Sequence, residues 1–424
     1  MTSTPAPADD AVPEGWQPLP ADHPLQRRRT PAGPEPELIT SVRSLQDLID
    51  RALGRGHPAS PQEDAGLAEV HPFPFLALVG QREMRLALLL AVVHPGLGGV
   101  LLVGPAGVGK STAARGVADI VPPVPRSLCY YGCLPEDIAR GGLEAVCSDC
   151  ARKYQAGEPL AVEDRARFVE LPPTVSLEAL LGTLEARPGQ RPRWRKGVLA
   201  QVDRHVLYLD ELGRYPEPVL DAVLEAVHRG HYTVHWGGLA VTYRSRALLI
   251  ASADPEHAPV ARRHVERFAL RARALPLTPA QRRTLYRRVQ AWQAVPDAFG
   301  AEYAAETRAL RDEVRAAREL LPQVRLADDL VRVAVQVVDG LGLASTRAEY
   351  AWLEASRAHA AAAGRTHVTP DDLRATVTLA LRFRARALTP AVVQAADDED
   401  ERLRAALDAA WAAAPSSPTP EEAA

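Results

Sequence analysis

Lysine and aromatic residues are scarce in this chain. Of the 50 lysines and arginines among its 424 residues, only Lys110, Lys153 and Lys196 are lysines, and aromatic residues make up 5% of the sequence. The formal net charge is −3, and no block of the chain is overwhelmingly basic. Proteins that bind nucleic acids present clustered basic residues to the phosphate backbone, so we expect no nucleic acid partner.

Long apolar runs are missing as well. The longest is Met84–Val93, which His94 and Pro95 end, whereas a membrane-spanning helix needs about 20 apolar residues. The stretch Met1–Pro7 has neither the basic region nor the apolar core of a secretory signal. We therefore expect a cytoplasmic protein that has no membrane partner.

Short apolar runs alternate with helical patterns in the first two thirds of the chain. Val206–Leu209 and Ala247–Ala251 are typical of buried strands, and Met84–Val93 and Pro218–Arg229 of helices. Strands that alternate with helices predict an α/β fold with a parallel sheet covered on both faces. Beyond about Thr278 only helical patterns remain, which predicts an all-helical second domain.

These patterns divide the chain into four predicted parts. Its beginning is rich in proline, alanine and charge, and its end is acidic, as is typical of disordered segments. The predicted parts are a largely disordered extension over 1–70, an α/β domain over 71–275 with an insertion at about 122–166, a helical lid over 276–390, and an acidic, partly disordered tail over 391–424.

The most specific motif is the stretch 104–111, Gly-Pro-Ala-Gly-Val-Gly-Lys-Ser, which matches the G-x-x-x-x-G-K-[ST] phosphate-binding loop. An apolar run precedes it and a helical pattern follows, as the motif requires. We predict that Lys110 reaches the β- and γ-phosphates of ATP and that Ser111 ligates Mg²⁺. The predicted nucleotide ligands in this segment are Gly104, Pro105, Ala106, Gly107, Val108, Gly109, Lys110, Ser111 and Thr112.

Two acidic residues, Asp210 and Glu211, follow the strand pattern Val206–Leu209. The carboxyl ends of parallel strands are where open α/β sheets bind their ligands. We therefore predict that Asp210 holds Mg²⁺ with its water shell and binds the cofactor. Glu211 is predicted to act as the general base toward the attacking water. A solvated acidic turn is the alternative interpretation.

The strand pattern Ala247–Ala251 ends in a second acidic position, Asp254, and three arginines follow within 260–268. A polar residue at that strand end can sense the γ-phosphate or position the water. An arginine that reaches a neighbouring subunit's γ-phosphate accelerates hydrolysis by roughly 10³- to 10⁵-fold. Solvated surface charge is the other interpretation of these arginines.

The order of these motifs resembles that of the AAA+ ATPases and, more narrowly, that of the ATPase (I-type) subunit of magnesium chelatase. The glutamate–arginine–phenylalanine stretch and the helical patterns after it belong to the same order. The resemblance spans about residues 70–387, and the stretches that carry it are 73–90, 98–112, 171–176, 181–184, 196–200, 206–212, 266–270 and 347–372.

The resemblance implies roles for further residues and partners. By position, Arg267 matches the family's arginine finger, and Arg347 matches its lid arginine, a nucleotide ligand. The family's subunits form rings, which implies a hexamer here. Their ATP turnover remodels a partner that bears an integrin or von Willebrand-type metal-binding domain and powers metal insertion into a tetrapyrrole. This chain has no Asp-x-Ser-x-Ser metal motif, so we expect that domain on another polypeptide.

Asp254 departs from the family pattern, which has an asparagine before proline at this position. Asparagine can both donate and accept a hydrogen bond, whereas an ionised aspartate only accepts. A second negative charge beside a γ-phosphate is unfavourable unless something balances it. We therefore expect slower hydrolysis with ATP binding retained.

The four cysteines lie in one window, with the spacings Cys129-x₃-Cys133 and Cys147-x₂-Cys150. Disulfides are rare in cytosolic proteins. Two close pairs suit a tetrahedral structural Zn²⁺ site that leaves no open coordination position. An iron–sulfur cluster, a redox pair and four unrelated thiols are the alternatives.

Two other functions fit the same sequence. One is a chaperone-like AAA+ motor for a von Willebrand-type partner unrelated to tetrapyrroles, which differs in what the protein co-purifies with. The other is a nucleotide-binding scaffold that hydrolyses ATP only weakly, which Asp254 suggests. A steady-state ATPase assay separates the scaffold from both motors.

Overall fold

The computed structural model describes residues 72–129, 131–185, 193–236, 239–343 and 345–413. The predicted extension over 1–70 and the last residues of the tail lie outside these ranges. Within them, the strands are β1 (Val100–Val103), β2 (Val124–Ser127), β3 (Ala161–Asp164), β4 (Phe168–Leu171), β5 (Gly182–Glu185), β6 (Arg193–Lys196), β7 (Val206–Leu209), β8 (His231–Trp236), β9 (Leu239–Arg244), β10 (Leu248–Ala253) and β11 (Leu270–Arg273).

Helices surround these strands in the first part of the described chain and replace them in the second. They are α1 (Arg82–Val93), α2 (Lys110–Gly116), α3 (Pro135–Gly141), α4 (Ser148–Gln155), α5 (Leu177–Leu181), α6 (Val198–Gln201), α7 (Glu217–Arg229), α8 (Arg262–Val265), α9 (Pro279–Ala294), α10 (Pro296–Leu320), α11 (Asp328–Gly340), α12 (Thr346–Ala362), α13 (Pro370–Leu381), α14 (Pro390–Gln394) and α15 (Ala396–Ala413). In the part of the chain that the structure describes, no helix has the length and hydropathy to cross a bilayer.

A five-stranded parallel sheet in the order β11–β1–β10–β7–β4 forms the centre of the first part. Every residue of β1, β7 and β10 is buried, because helices cover both faces of such a sheet. The predicted α/β class with a helical lid is thereby confirmed. In the sheet Val103 pairs with Ala253, and Ala251 pairs with Leu209. The carboxyl ends of β1, β10 and β7 therefore lie side by side.

Three antiparallel strand pairs stand apart from this sheet: β2–β3, whose strands are connected through α3 and α4, and the hairpins β5–β6 and β8–β9. The basic strand β6 pairs with β5. The β8–β9 hairpin is exposed at most of its positions, and Trp236 and Leu239 near its tip are 50% and 53% exposed.

The helices of the second part pack around α12 and α13. Trp352, fully buried, donates from Nε1 to the carbonyl of Leu373 at 3.1 Å. Helix α13 ends at Leu381. There Arg382 turns inward and pairs with Glu83 and Asp400, each at 2.5 Å. Phe383, the next residue, has a left-handed φ of +62°, and the two ion pairs join this turn to α1 and to the tail helix α15.

Candidate functional site

The phosphate loop connects β1 to α2, as its motif requires. Gly107 and Gly109 have φ angles of +78° and +93°, which L side chains rarely adopt. Lys110 is 7% exposed, and its Nζ donates to the carbonyl oxygens of Gly104 and, at 2.8 Å, Pro105. Burial lowers the pKa of Lys110, and the negative charges of Asp254, Asp210 and Glu211 oppose that shift.

Gly104 is required by packing rather than by its backbone angles. A β-carbon at this position would come within 2.2 Å of the carbonyl oxygen of Ala274, just after β11. Ala274 also donates its N–H to the carbonyl of Val103 at 2.8 Å. The start of the loop therefore presses directly on the backbone that leaves the edge strand.

Asp210 follows β7 and faces Ser111 at the start of α2. The Ser111 Oγ lies 3.4 Å from both carboxylate oxygens of Asp210. Tyr208 Oη and Ser252 Oγ donate to Asp210 Oδ1 at 2.7 and 2.6 Å. Burial alone would raise the pKa of Asp210, but these hydroxyl hydrogen bonds and the charge of Lys110 outweigh it and lower that pKa.

The residues around Asp210 fit a magnesium ion that accompanies a nucleotide. A hydroxyl and an ionised carboxylate on neighbouring elements are the hard oxygen ligands that Mg²⁺ prefers. Sequence reasoning missed Tyr208 and Ser252, the two hydroxyls that hold the carboxylate. Tyr208 lies two positions before Asp210, so the alternation of a strand could have indicated that both face the same side.

Glu211 has a backbone angle φ of +54°, a left-handed conformation that is uncommon for a side chain of this kind. Its N–H donates to Ser252 Oγ at 2.8 Å. Its carboxylate, 32% exposed, pairs with Arg214 at 3.0 Å. Strained backbone held by neighbouring groups is often found at functional sites, and here it lies directly beside Asp210.

Asp254 lies just after β10 and is 5% exposed. It accepts hydrogen bonds from the N–H of Glu256 at 3.1 Å and from His257 Nδ1 at 2.8 Å. Burial opposes the ionisation of Asp254, but these two bonds and the charge of Lys110 lower its pKa below the ordinary value. No sequence motif pointed to His257, whose hydrogen bond to the Asp254 carboxylate the expectation of slow hydrolysis did not include.

Arg267 lies at the opposite end of β1 from the phosphate loop. Its backbone oxygen would lie 3.8 Å from a β-carbon added at Gly98, and Val100 pairs with Leu270 in β11. Since strands advance about 3.3 Å per residue, the six residues from Gly98 to Gly104 span roughly 20 Å. An arginine side chain is much shorter than that, so Arg267 cannot reach the loop of its own chain.

Arg347, in the first turn of α12, lies on the same side as Arg267. Burial lowers the pKa of His228, and the charges of Arg347 and Arg267 lower it further. The charge of Arg347 also acts on Arg384, whose guanidinium lies 3.5 Å from the carbonyl of Ala269. The charges of Arg347 and Arg267 thus act on the same histidine at the end of α7.

The four cysteines form a compact group on the insertion between α2 and β4. The sulfurs of Cys129, Cys133, Cys147 and Cys150 all lie within 4.8 Å of one another. The N–H of Cys133 donates to Cys129 Sγ at 3.2 Å, and that of Cys147 donates to Cys133 Sγ at 3.3 Å. Burial opposes ionisation of Cys129, but hydrogen bonds from Ser127 and from the N–H of Cys133 lower the pKa of the Cys129 thiol to about 7.

This group fits a metal that takes four thiolates. Tetrahedral zinc has Zn–S distances of about 2.3 Å, which places the sulfurs about 3.8 Å apart. Only a small contraction of the present group is needed. Backbone N–H groups aimed at sulfur favour the thiolate form that a metal requires.

A phosphate loop after β1, an Asp-Glu pair after β7 and a helical lid behind the sheet define an ATPase of the AAA+ class. A crystal structure from Cytophaga hutchinsonii, provisionally described as an ATPase, has the same fold, with a TM-score of 0.50 and 17% identity over 78% of this chain and 90% of that one. The family model of the AAA lid domain matches residues 335–406.

The family model of magnesium chelatase, subunit ChlI, matches residues 75–274. A magnesium-chelatase subunit ChlI homolog of Methanocaldococcus jannaschii is 32% identical over 319 residues, 74% of this chain and 86% of that protein. The magnesium-chelatase 38 kDa subunit of Acidiphilium rubrum is 34% identical over 320 residues, 74% of this chain and 91% of that one. The chain belongs to the magnesium chelatase ChlI family.

Proposed function

We propose that this protein is the ATP-hydrolysing ring subunit of a metal chelatase, and that its ATP turnover remodels a separate partner protein for metal insertion into a tetrapyrrole. The partner is proposed to bear an integrin or von Willebrand-type metal-binding domain. The assignment of the chelation step rests on the two chelatase subunits described above and on the family to which the chain belongs.

One observation carries the proposal of a ring: Arg267 lies at the end of β1 opposite the phosphate loop of its own chain. The charge of Arg347 acts on the same histidine, His228, as that of Arg267. A nucleotide site that uses an arginine against the γ-phosphate must then draw it from a neighbouring copy. A closed set of such head-to-tail contacts is a ring, and we propose six copies.

In this ring each protomer contributes two sets of residues to hydrolysis. Lys110 binds the phosphates together with the N–H groups of the loop, and Ser111 and Asp210 hold the Mg²⁺ that neutralises phosphate charge. Glu211 accepts the proton of the attacking water, and Asp254 with His257 orients it. The neighbour's Arg267 and Arg347 stabilise the negative charge that moves toward the leaving oxygen.

We also propose that the cysteine group holds one structural Zn²⁺ per chain. The donor set of four sulfurs and the N–H···S bonds support zinc over a catalytic metal, which would need an open position. Elemental analysis of reduced protein tests this: about one zinc per chain is expected, and metal-free protein would contradict it. Replacing Cys133 and Cys150 with serine should remove the zinc.

Two measurements test the motor itself. Light scattering with and without Mg–ATP should show a large assembly whose mass is a whole multiple of the chain. Affinity purification of the native protein should recover a partner with an integrin-type metal-binding domain. A chain that stays monomeric under saturating Mg–ATP would contradict the ring, and a partner unrelated to tetrapyrroles would replace chelation with another remodelling task.

A further inference from the structure

The lysines of this chain are distributed in an unexpected way. Lys110 serves the phosphate loop, and the other two, Lys153 and Lys196, both lie at the cysteine group although arginine is used almost everywhere else. Lys153 interacts electrostatically with Cys150. Lys196, which ends β6 and lies outside the insertion, interacts in the same way with Cys129 and Cys133.

Lys196 touches the turn that joins the first two cysteines. A β-carbon added at Gly132 would come within 3.1 Å of Lys196 Nζ, and Gly132 has a φ of +76°. The N–H of Gly132 donates to the carbonyl of Cys129 at 3.2 Å, which closes the turn. The absence of a side chain at Gly132 therefore lets the Lys196 ammonium, from the β5–β6 hairpin, approach the turn that carries the cysteines.

The second hairpin, β8–β9, is fastened to the same insertion by arginines. Arg244, at the end of β9, pairs with Asp137 on α3, four residues after Cys133. Arg246 pairs with Glu136 at 3.1 Å and with Asp203 at 2.7 Å. Asp137 is 7% exposed, and it also caps α3 by accepting from the N–H of Leu134 at 2.9 Å.

We propose that the metal-loaded cysteine group is a joint that fixes both hairpins, with Lys196 as its outer-shell residue for β5–β6 and the Glu136–Asp137 pair as its link to β8–β9. The inference rests on the proposed zinc site. A cysteine ligates zinc as the thiolate, so loading leaves a net negative charge on the group. That charge attracts the ammonium of Lys196, and the closed metal loop holds α3 where its two carboxylates meet the arginines.

The joint lies at the sheet end remote from the phosphates. Arg204 pairs with Glu136, and its N–H donates to the carbonyl of Arg246 at 3.2 Å, just before β7 and β10 begin. Metal at the cysteines therefore controls how firmly the two hairpins are held and leaves nucleotide binding unchanged. Trp236 and Leu239, the exposed apolar residues of β8–β9, are presented by a hairpin whose base is fixed in this way.

A first experiment measures zinc affinity of the full-length protein by competition with a chromophoric chelator. Replacing Lys196 with methionine should weaken zinc binding about 10- to 100-fold, as loss of an outer-shell partner usually does. Arg152→Met is the matched control: it removes a positive charge from α4, where Arg152 is 78% exposed and pairs with Asp149, and it should leave zinc affinity unchanged.

A second experiment follows hydrogen exchange in zinc-loaded and chelator-stripped protein. Stripping should speed exchange in β5–β6 and in β8–β9, with β1 and α12 unchanged. The double variant Glu136→Gln with Asp137→Asn should keep its zinc, and its hydrogen exchange should be faster only in β8–β9. Wild-type protein that contains no zinc would contradict both the proposed zinc site and this inference. If the wild-type protein does hold zinc, either of two results would overturn the joint alone. One is equal zinc affinity in the Lys196→Met variant, and the other is unchanged hydrogen exchange in both hairpins after zinc is stripped.

Discussion

Asp254 and His257 are hydrogen-bonded, with the ring Nδ1 2.8 Å from the carboxylate, at the end of the strand next to the phosphate loop. The imidazole is 62% exposed and the carboxylate almost fully buried. The ring therefore stabilises, from the solvent side and through a hydrogen bond, the carboxylate charge beside the proposed γ-phosphate position.

Removing His257 should expose that charge. We expect His257→Ala to lower ATP turnover about tenfold, because an unbalanced carboxylate repels the phosphate by roughly 1–2 kcal/mol near a protein surface. Asp254→Asn should raise turnover two- to fivefold and should rescue His257→Ala in the double variant. His231→Ala, an exposed hairpin histidine, serves as the control. Steady-state rates that are the same in all four variants would show that the pair lies outside the reaction.

Glu211 is predicted to accept the proton of the attacking water. Glu211→Gln should keep Mg–ATP binding and reduce turnover by about 10²- to 10⁴-fold, because an amide cannot take that proton. Binding is measured by titration with a fluorescent ATP analogue and turnover by phosphate release. Hydrolysis at the wild-type rate would place the general base elsewhere.

Ser252 supports both acidic residues of the site, donating to Asp210 and accepting from the N–H of Glu211. We expect Ser252→Ala to raise the Mg²⁺ concentration needed for half-maximal ATPase activity about 10- to 100-fold, as loss of an outer-shell partner usually does. Ser245→Ala is a matched control, because the Ser245 hydroxyl is buried without a hydrogen-bond partner. Equal Mg²⁺ dependence in the two variants would contradict this role.

Subunit mixing tests whether the arginines act across an interface. Lys110→Ala and Arg267→Ala proteins should each be inactive, since one lacks the phosphate cation and the other the finger. Mixed in equal amounts they should regain part of the activity, because some interfaces then pair an intact loop with an intact arginine. Arg347→Ala should behave in the same way. Co-assembly without any recovered phosphate release would rule out the assignment of that arginine.

How much the sequence could predict depended on burial. β1, β7 and β10 are continuous apolar runs buried on both faces, so their positions and the α/β class followed from the pattern. β8–β9 mixes apolar and polar residues and is mostly exposed, which left no periodic signal. β11 was also missed, because its sequence Leu-Arg-Ala-Arg includes Arg271, a fully buried arginine that no hydropathy pattern anticipates.

The site divides in a similar way. Lys110, Ser111, Asp210 and Glu211 belong to spaced motifs whose residue types are fixed by phosphate and metal chemistry, so the sequence could propose them. Ser252 supports Asp210 and Glu211 only through strand order and register, whereas His257 reaches Asp254 from three residues further along the chain, in a turn that has no sequence motif. The cysteine spacings indicated a shared metal, but the pairing of Asp137 with Arg244 depends on where the insertion folds back.

The separation of Arg267 from its own phosphate loop also ties the reaction to how much protein is present. A single chain carries the loop and the proposed arginine finger at opposite ends of one short strand, so in the proposed ring a dispersed chain would hold two halves of different sites. Its specific ATPase activity should fall steeply on dilution below the assembly concentration. A newly synthesised chain would accordingly hydrolyse no ATP until enough copies have accumulated to assemble.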